Sequence, residues 1–482
     1  MIVISCREQR MLYSAFHLLQ AFFPEQELEQ HLIPEQEPTV QIIFGQGSCF
    51  SLVNKTILSR YEVLGKLYDF LAKRCDKKLS WGVITGVRPG KLVEKLAKEH
   101  AREDIEAILI ERYRLDAAKA RLLMQVMAQN EQVDHGGYSL YVGIPFCPSI
   151  CSYCSFGSAL LSHFEHLVEP YITALIEELK EIARVYQDIS LRTIYIGGGI
   201  PTALPVAVLA RLLQAIDRYF SSKNLVEYTL EMGRPDTITA EILAVVKAHP
   251  ITRISINPQT MQGRTLAAIG RQHTPQEVHE AYALARQWGF HNINMDLILG
   301  LPGESVPDVV ATMDQVIALQ PDSVTIHCLA TKRKAQDGQA RFLKKGYGSL
   351  PQQSSSDMAA MLDLAQETAA QLQMHPYYLY RQKSIAGNFE NVGYATVDKE
   401  GIYNILIIED RHLIIGAGAG AGSKIVAQNK IWRYENPKNI EIYLEKRAEV
   451  WARHQQRREK YGTETKAGNR HERYYARGNG DS

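Results

Sequence analysis

From residue 139 to about 330 the chain alternates two kinds of segment with little interruption. Strand-like runs occur at "SLYVGI", "TIYIGG", "VEYTLE", "RISIN", "NINMDLIL" and "DSVTIHC". Between them lie helical stretches such as "EPYITALIEELKEIARVY", "PVAVLARLLQAIDRYF", "TPQEVHEAYALARQWG" and "SVPDVVATMDQVIAL". Around the first of these, Val168, Ile172, Leu175, Ile176, Leu179 and Ile182 fall on one face of a 3.6-residue period, and Pro170 sits near the start, where it costs least. Six strand–helix repeats in a row imply an α/β fold with a parallel sheet, open or closed into a barrel. Either form gathers chemistry at the C-terminal ends of its strands.

The flanking segments read differently. Residues 1–135 mix short β-like runs ("MIVIS", "TVQIIFG", "CFSLVN") with helical ones, an N-terminal α+β and helical region. "DHGGYS" (134–139) is a Gly-bearing break and marks the boundary to a core over 139–345. Residues 346–450 form a smaller C-terminal unit with a helix and strand-like "YYLYRQ", "GIYNILII" and "HLIIGAG". From Trp451 to 482 the composition turns to Arg, Lys, Gly, Asn and Glu with almost no aliphatics, which predicts a disordered charged tail. The net charge of +1 gives no bulk case for nucleic acid. No apolar stretch approaches the length of a membrane span, and the N-terminal apolar run is too short for a signal peptide. Seven cysteines, four of them scattered singly, fit a reducing compartment, so the expected location is cytoplasmic.

The other three cysteines are Cys147, Cys151 and Cys154, in "IPFCPSICSYCSF". A structural zinc site asks for four ligands, and a disulfide asks for a partner and an oxidising compartment. Three thiolates suit a [4Fe-4S] cubane with one iron left open, whereas clusters kept for electron transfer usually take four cysteines. The open iron is a position where the amine and carboxylate of S-adenosylmethionine (SAM) can chelate, and C-x3-C-x2-C is the signature of radical SAM chemistry. Three unrelated thiols would be the bland account, but the triplet lies between a strand and a helix, the context that gives a motif its meaning.

Residues at the strand ends then read as a cofactor pocket. Gly197, Gly198 and Gly199 follow a strand directly, where missing side chains let backbone approach a ligand; alone, such a triplet more often marks a tight turn. Glu231, Gln259 and Asp296 come at the ends of successive strands, and Arg271 and His273 sit in "GRQHT". "GAGAGAGSK" (416–424) lacks the phosphate-loop order and reads as a strand-to-helix turn under close packing. Arg88 and Lys91 in "TGVRPGKL" suit an anionic group, although a plain basic loop explains them as well. His327 and Cys328 end the last strand, where a half-buried strand accounts for them equally.

Together "YVGIPFCPSICSYCSF", "YIGGGIPT", "EMGRPDTIT", "RISINPQTM", "IGRQHT" and "NMDLILGLPGE" resemble the oxygen-independent coproporphyrinogen III oxidase family, and "YRQKSIAGNFENVGYA", "GIYNILIIED" and "GAGAGAGSKIV" resemble its HemZ branch. The resemblance runs from about 139 to 440. It implies a partial (β/α)6 TIM-type barrel with a smaller C-terminal domain, and a [4Fe-4S] cluster on Cys147, Cys151 and Cys154. It places SAM contacts on Tyr141, Tyr153, Gly198, Gly199, Ile200, Glu231, Gln259, Arg271, Asp296 and Ala330. The family reaction removes carbon dioxide and hydrogen from two propionates of coproporphyrinogen III, giving protoporphyrinogen IX without oxygen. Its partners are a tetrapyrrole and a reductant such as flavodoxin or ferredoxin.

This sequence departs from the family pattern at four places. Phe156 stands where the oxidases carry a fourth cysteine, Gly143 where a His is usual, Ile200 replaces a Thr, and "EMGRPD" replaces an "EANPG"-type run. Relatives that act as haem chaperones, and relatives that open haem by methyl transfer, also lack the fourth cysteine. The expectation is a coproporphyrinogen III dehydrogenase, with a cluster-bearing haem chaperone or a tetrapyrrole methyltransferase as alternatives.

Overall fold

The structure, a computed structural model, describes residues 1–23, 26–33, 40–44, 49–52, 59–154, 159–329, 354–381, 389–427 and 430–477. The N-terminal region opens with β1 (Ile2–Cys6), β2 (Leu28–Leu32), β3 (Val40–Phe44) and β4 (Cys49–Leu52), in sheet order β2-β1-β3-β4. Alternation in β1 turns Ile2, Ile4 and Cys6 inward, where they meet Leu12, Ala15, Leu18 and Leu19 of helix Gln9–Phe22. Helix Arg60–Cys75 starts at a capping box in which Ser59 and Glu62 satisfy each other's backbone N–H.

The core follows as β5 (Tyr138–Ile144), a two-residue parallel pair of β6 (Phe146–Cys147) and β7 (Ala159–Leu160), then β8 (Leu191–Gly198), β9 (Glu227–Gly233), β10 (Arg253–Ile256), β11 (Ile293–Leu299) and β12 (Ser323–Cys328). Strands β5, β8, β9, β10, β11 and β12 are consecutive parallel neighbours, as the six repeats require. Both faces are buried but differ: Leu140, Val142, Ile194, Ile196, Leu230 and Ile254 point to the apolar side, which helices such as Leu161–Val185 and Val206–Tyr219 cover, whereas the alternate positions carry polar residues such as Thr193, Thr229, Ser255 and Asn294.

The sheet stays open, and residues after 345 extend both of its edges. Strands β13 (His375–Arg381) and β14 (Glu390–Ala395) add antiparallel beside β12. On the far side β15 (Leu413–Ala417) lies parallel to β5, followed by antiparallel β16 (Gly422–Ala427) and β17 (Lys430–Glu435). The result is one sheet of eleven strands with seven parallel at its centre. The N-terminal region is fastened to the β14 end: Trp81 Nε1 donates to Glu390 at 2.7 Å, and Lys119 pairs with the same carboxylate at 2.6 Å.

Two expectations are corrected. Residues from Trp451 onward are not a disordered tail over their whole length, because helix Arg447–Arg477 runs through them. Val450, His454 and Arg457 are buried, with Tyr461 one turn further half-buried against the barrel core; this i, i+4, i+7, i+11 stripe holds the helix. The glycine-rich stretch turns from β15 straight into β16, so no helix follows it. Close packing does explain it: a Cβ on Gly418 (φ +95°) would meet Tyr171 Oη at 2.5 Å and the Gly143 carbonyl at 2.6 Å. Among the described residues no helix is long and apolar enough to cross a membrane.

Candidate functional site

The cysteine loop sits on the C-terminal ends of the parallel strands. Cys147 closes β6, and the following turn is anchored on the segment after helix Gly263–Ala268. Ser152 N donates to the Ile269 carbonyl at 3.0 Å, and Ser149 Oγ to the Gly270 carbonyl at 2.9 Å. Gly199 makes the other wall possible. Its N–H bonds the Ile144 carbonyl, and a Cβ there would overlap the Phe146 carbonyl. The missing side chain therefore lets β8 lie against the start of the cysteine loop, a role of backbone packing.

Between these walls lies a cavity of about 410 Å³, lined by Cys147, Cys151 and Cys154. Of the residues expected to contact SAM, Tyr153, Gly198, Gly199, Ile200, Glu231, Gln259, Arg271 and Asp296 also line it. Tyr141 does not. It stands beside the lining, half-buried and stacked with Tyr195 and Tyr403, its hydroxyl 3.2 Å from where a Gly198 Cβ would stand. Ala330 and Phe156 fall outside the described residues. His273 is buried and absent from the cavity lining, and burial and the Arg271 charge push it down to about 4.

Three side chains give the cavity its electrostatics. Burial and the neighbouring Asp296 charge raise the Glu231 carboxyl to about 7, against hydrogen bonds from Tyr195 and the Gly198 backbone that favour ionisation. Arg271 is enclosed: Nη1 donates to the Asn257 carbonyl at 2.7 Å and the Gly233 carbonyl at 3.3 Å, and Nε to Tyr153 Oη at 3.2 Å. Burial alone would lower its pKa, but Tyr153 and Cys151, to which its side chain also hydrogen-bonds, hold it above the usual range. Gln259 has a left-handed backbone (φ +66°), which for a non-glycine residue costs on the order of 1–3 kcal/mol, and its Oε1 is buried without a partner. Its main chain is fixed by Gln259 N to the Asp296 carbonyl and Ile298 N to the Gln259 carbonyl, both 2.9 Å.

Beyond Asp296 the cavity continues to His327, Cys328 and Tyr380. His327 Nδ1 and Tyr380 Oη are 3.2 Å apart, and His327 Nε2 is 3.9 Å from Asp296. Cys328 donates its thiol to the Glu390 carbonyl at 3.2 Å, and burial holds it well above the usual thiol range. The basic loop joins none of this: Arg88 and Lys91 both pair with Asp410 elsewhere. Tyr380, Asn257 and Arg234 line the cavity without having been singled out. The signal for Tyr380 is the alternation of "YYLY", which puts it on one face of β13 with Tyr378.

The donor set fits a cubane cluster. Its three cysteines are in no disulfide and share one wall, and Arg271 supplies a hydrogen bond toward Cys151, the kind of contact that tunes such clusters. Among the described residues no three His, Cys, Asp or Glu side chains converge as on a single metal ion, and a cubane takes one thiolate per iron at separate corners. Glu231, Gln259 and Asp296 supply polar atoms beside the cysteines for SAM.

Comparison with known proteins agrees. The radical SAM superfamily model matches residues 141–316. The oxygen-independent coproporphyrinogen-III oxidase-like protein HemZ of Bacillus subtilis is 39% identical over 378 residues, covering 76% of this chain and 74% of that protein. The heme chaperone HemW of the same organism is 30% identical over 285 residues, covering 59% and 70%. Among solved structures, coproporphyrinogen III oxidase (HemN) from Escherichia coli, a radical SAM enzyme, superposes with a TM-score of 0.53 at 22% identity, over 69% of this chain and 73% of that one.

Proposed function

We propose, for a chain that belongs to the oxygen-independent coproporphyrinogen-III oxidase-like family of radical SAM proteins, that its reaction is the oxidative decarboxylation of coproporphyrinogen III propionates. The observation that carries the reading is the single cavity. It joins the three-cysteine loop to Glu231, Gln259, Arg271 and Asp296, then extends past them to a second polar group, His327 and Tyr380. When bound, the cluster and SAM supply one-electron reductive cleavage and a carbon radical able to take a hydrogen from an unactivated C–H bond.

In this reading the chain's own residues bind and orient. Cys147, Cys151 and Cys154 hold three irons. Arg271 keeps a fixed positive charge beside Cys151 and favours the SAM carboxylate. Glu231, half protonated near neutrality, donates or accepts a hydrogen bond to the ribose or amino group. Gln259 offers its unpartnered carbonyl to a donor on the cofactor. His327 and Tyr380 face the tetrapyrrole. The electron comes from a flavodoxin or ferredoxin, and the setting is cytoplasmic.

A second reading is a haem-binding chaperone that retains the cluster. Its support is the similarity to HemW and the Phe156 that replaces a fourth cysteine. Anaerobic incubation of cluster-loaded protein with coproporphyrinogen III, SAM and reductant, followed by product mass, decides. Decarboxylation predicts two successive losses of carbon dioxide plus two hydrogens, with 5'-deoxyadenosine formed in step. Stoichiometric haem binding with unchanged coproporphyrinogen favours the chaperone, and transfer of a methyl group favours a methyltransferase.

A further inference from the structure

At the end of the barrel opposite the cysteine loop, several cations crowd one buried carboxylate. Asp410 lies between helix Ile402–Glu409 and β15, three residues before Leu413, which pairs with Tyr138 at the start of β5. The cysteine loop leaves the other end of β5. Only 2% of the Asp410 side chain is exposed. Oδ2 accepts from Arg88 and from Lys91 Nζ at 2.8 Å, and Arg433 Nη2 reaches both oxygens at 3.1 and 3.2 Å.

A charge count of the surroundings leaves an excess. Lys424 Nζ is also 3.3 Å from Asp410, but burial and the neighbouring cations push it down to about 7, and it donates to the Ile407 carbonyl at 2.6 Å, so the C-terminus of the helix matches the partial charge it keeps. Arg411 pairs with Glu94 at 2.5 Å. Glu409, hydrogen-bonded to Glu94 and Asn130, is raised by burial to about 7 and lies half neutral. What remains is Arg88, Lys91 and Arg433 against Asp410 and the ionised half of Glu409, a surplus of more than one positive charge. All three reach solvent, with side chains 26%, 44% and 55% exposed. Moreover, Lys424 and Arg433 stand directly opposite in the β16–β17 register, a like-charge pairing that is unfavourable in itself. Three segments distant in sequence thus converge on an arrangement one carboxylate leaves under-neutralised.

We propose that Arg88, Lys91 and Arg433 form a binding site for a compact dianionic oxyanion of the phosphate class. A surplus of more than one charge favours a dianion over a monoanion. Arg88 and Arg433 reach Asp410 through Nη1 and Nη2; a guanidinium carries five N–H donors in a planar fork suited to an oxyanion, and Lys91 adds a point charge. The site is separate from the cavity and independent of the reaction proposed for it. Because Arg88 and Lys91 come from the N-terminal region and Arg433 from β17, a bound anion ties that region to the β15–β17 edge.

Calorimetric titration of the full-length, cluster-loaded protein with inorganic phosphate, and with citrate at matched ionic strength, tests this. Phosphate is expected to bind saturably. Arg433→Gln and Lys91→Gln, at exposed positions that spare the fold, should each weaken it about tenfold, the worth of one charge-assisted hydrogen bond. Asp410→Asn removes the competing negative charge; it should bind phosphate more tightly and melt lower without it. Absence of saturable binding, an unchanged constant in Arg433→Gln, or citrate binding as tightly as phosphate would each overturn the proposal.

Discussion

His454 Nε2 lies 2.8 Å from Glu178 Oε1, both side chains fully buried, although 276 positions separate them in sequence. Glu178 also accepts from Tyr443 Oη at 2.6 Å, the Gly418 N–H at 2.8 Å and Asn436 Nδ2 at 2.9 Å. One carboxylate inside the helix that follows the cysteine loop thereby gathers the glycine turn, the residue that follows β17, the short helix Ile440–Glu445 and the final helix.

Removing one partner of such a group leaves charge buried and under-solvated, so His454→Ala should lower the unfolding free energy by about 3–5 kcal/mol. The check is the denaturant midpoint. Burial raises the Glu178 pKa, but hydrogen bonds from His454, Tyr443 and Gly418 outweigh it and hold the carboxyl below its ordinary value. Its contribution is therefore present above the unfolded pKa of about 4.5 and is lost as pH falls below it, a loss that Glu178→Gln should flatten.

Cys147→Ala, Cys151→Ala and Cys154→Ala should each prevent stable cluster assembly, with iron and acid-labile sulfide falling to background. Cys49 and Cys75, in the N-terminal region, should be dispensable. Full iron and sulfide content in Cys151→Ala would remove the cluster from this site.

Arg271→Lys should behave almost as badly as Arg271→Ala. Nε and Nη1 serve Tyr153 and two carbonyls simultaneously, and an ammonium cannot reproduce that fork. SAM binding, read as a shift in the electron paramagnetic resonance signal of the reduced cluster, should weaken about ten- to a hundredfold in both variants. Iron content should persist.

The Glu231 carboxyl holds its proton in the folded chain up to about pH 7, whereas the unfolded chain loses it near 4.5. Between these values the native state binds more protons, so stability of the cofactor-free protein should fall as pH rises through that window, by roughly 3 kcal/mol in all. Glu231→Gln should abolish the slope in melting curves taken at successive pH values. A slope that survives would place the titrating group elsewhere.

The parallel core was legible because alternating apolar runs and 3.6-period stripes are local signals. So was most of the site: once strand ends are known, Glu231, Gln259, Arg271 and Asp296 fall where side chains meet. What local pattern leaves unstated is partnership over distance. Nothing in "HLIIGAG" says that it pairs with β5, some 270 residues earlier, or that "YYLY" closes the opposite side of the cavity. The final helix escaped because a composition count gives no weight to four well-spaced residues, Val450, His454, Arg457 and Tyr461, in a polar stretch.

The position of β15 beside β5 sets an order of assembly. Until the ribosome has released residues 413–417, the first core strand has one side of unpaired N–H and C=O groups, and the cysteine loop hangs from its end. A nascent or truncated chain ending before residue 410 would carry an open strand edge that invites pairing between copies. Iron loading should accordingly be a late event in the life of the chain, and a tag or fusion is safer before Met1 than anywhere between residues 400 and 460.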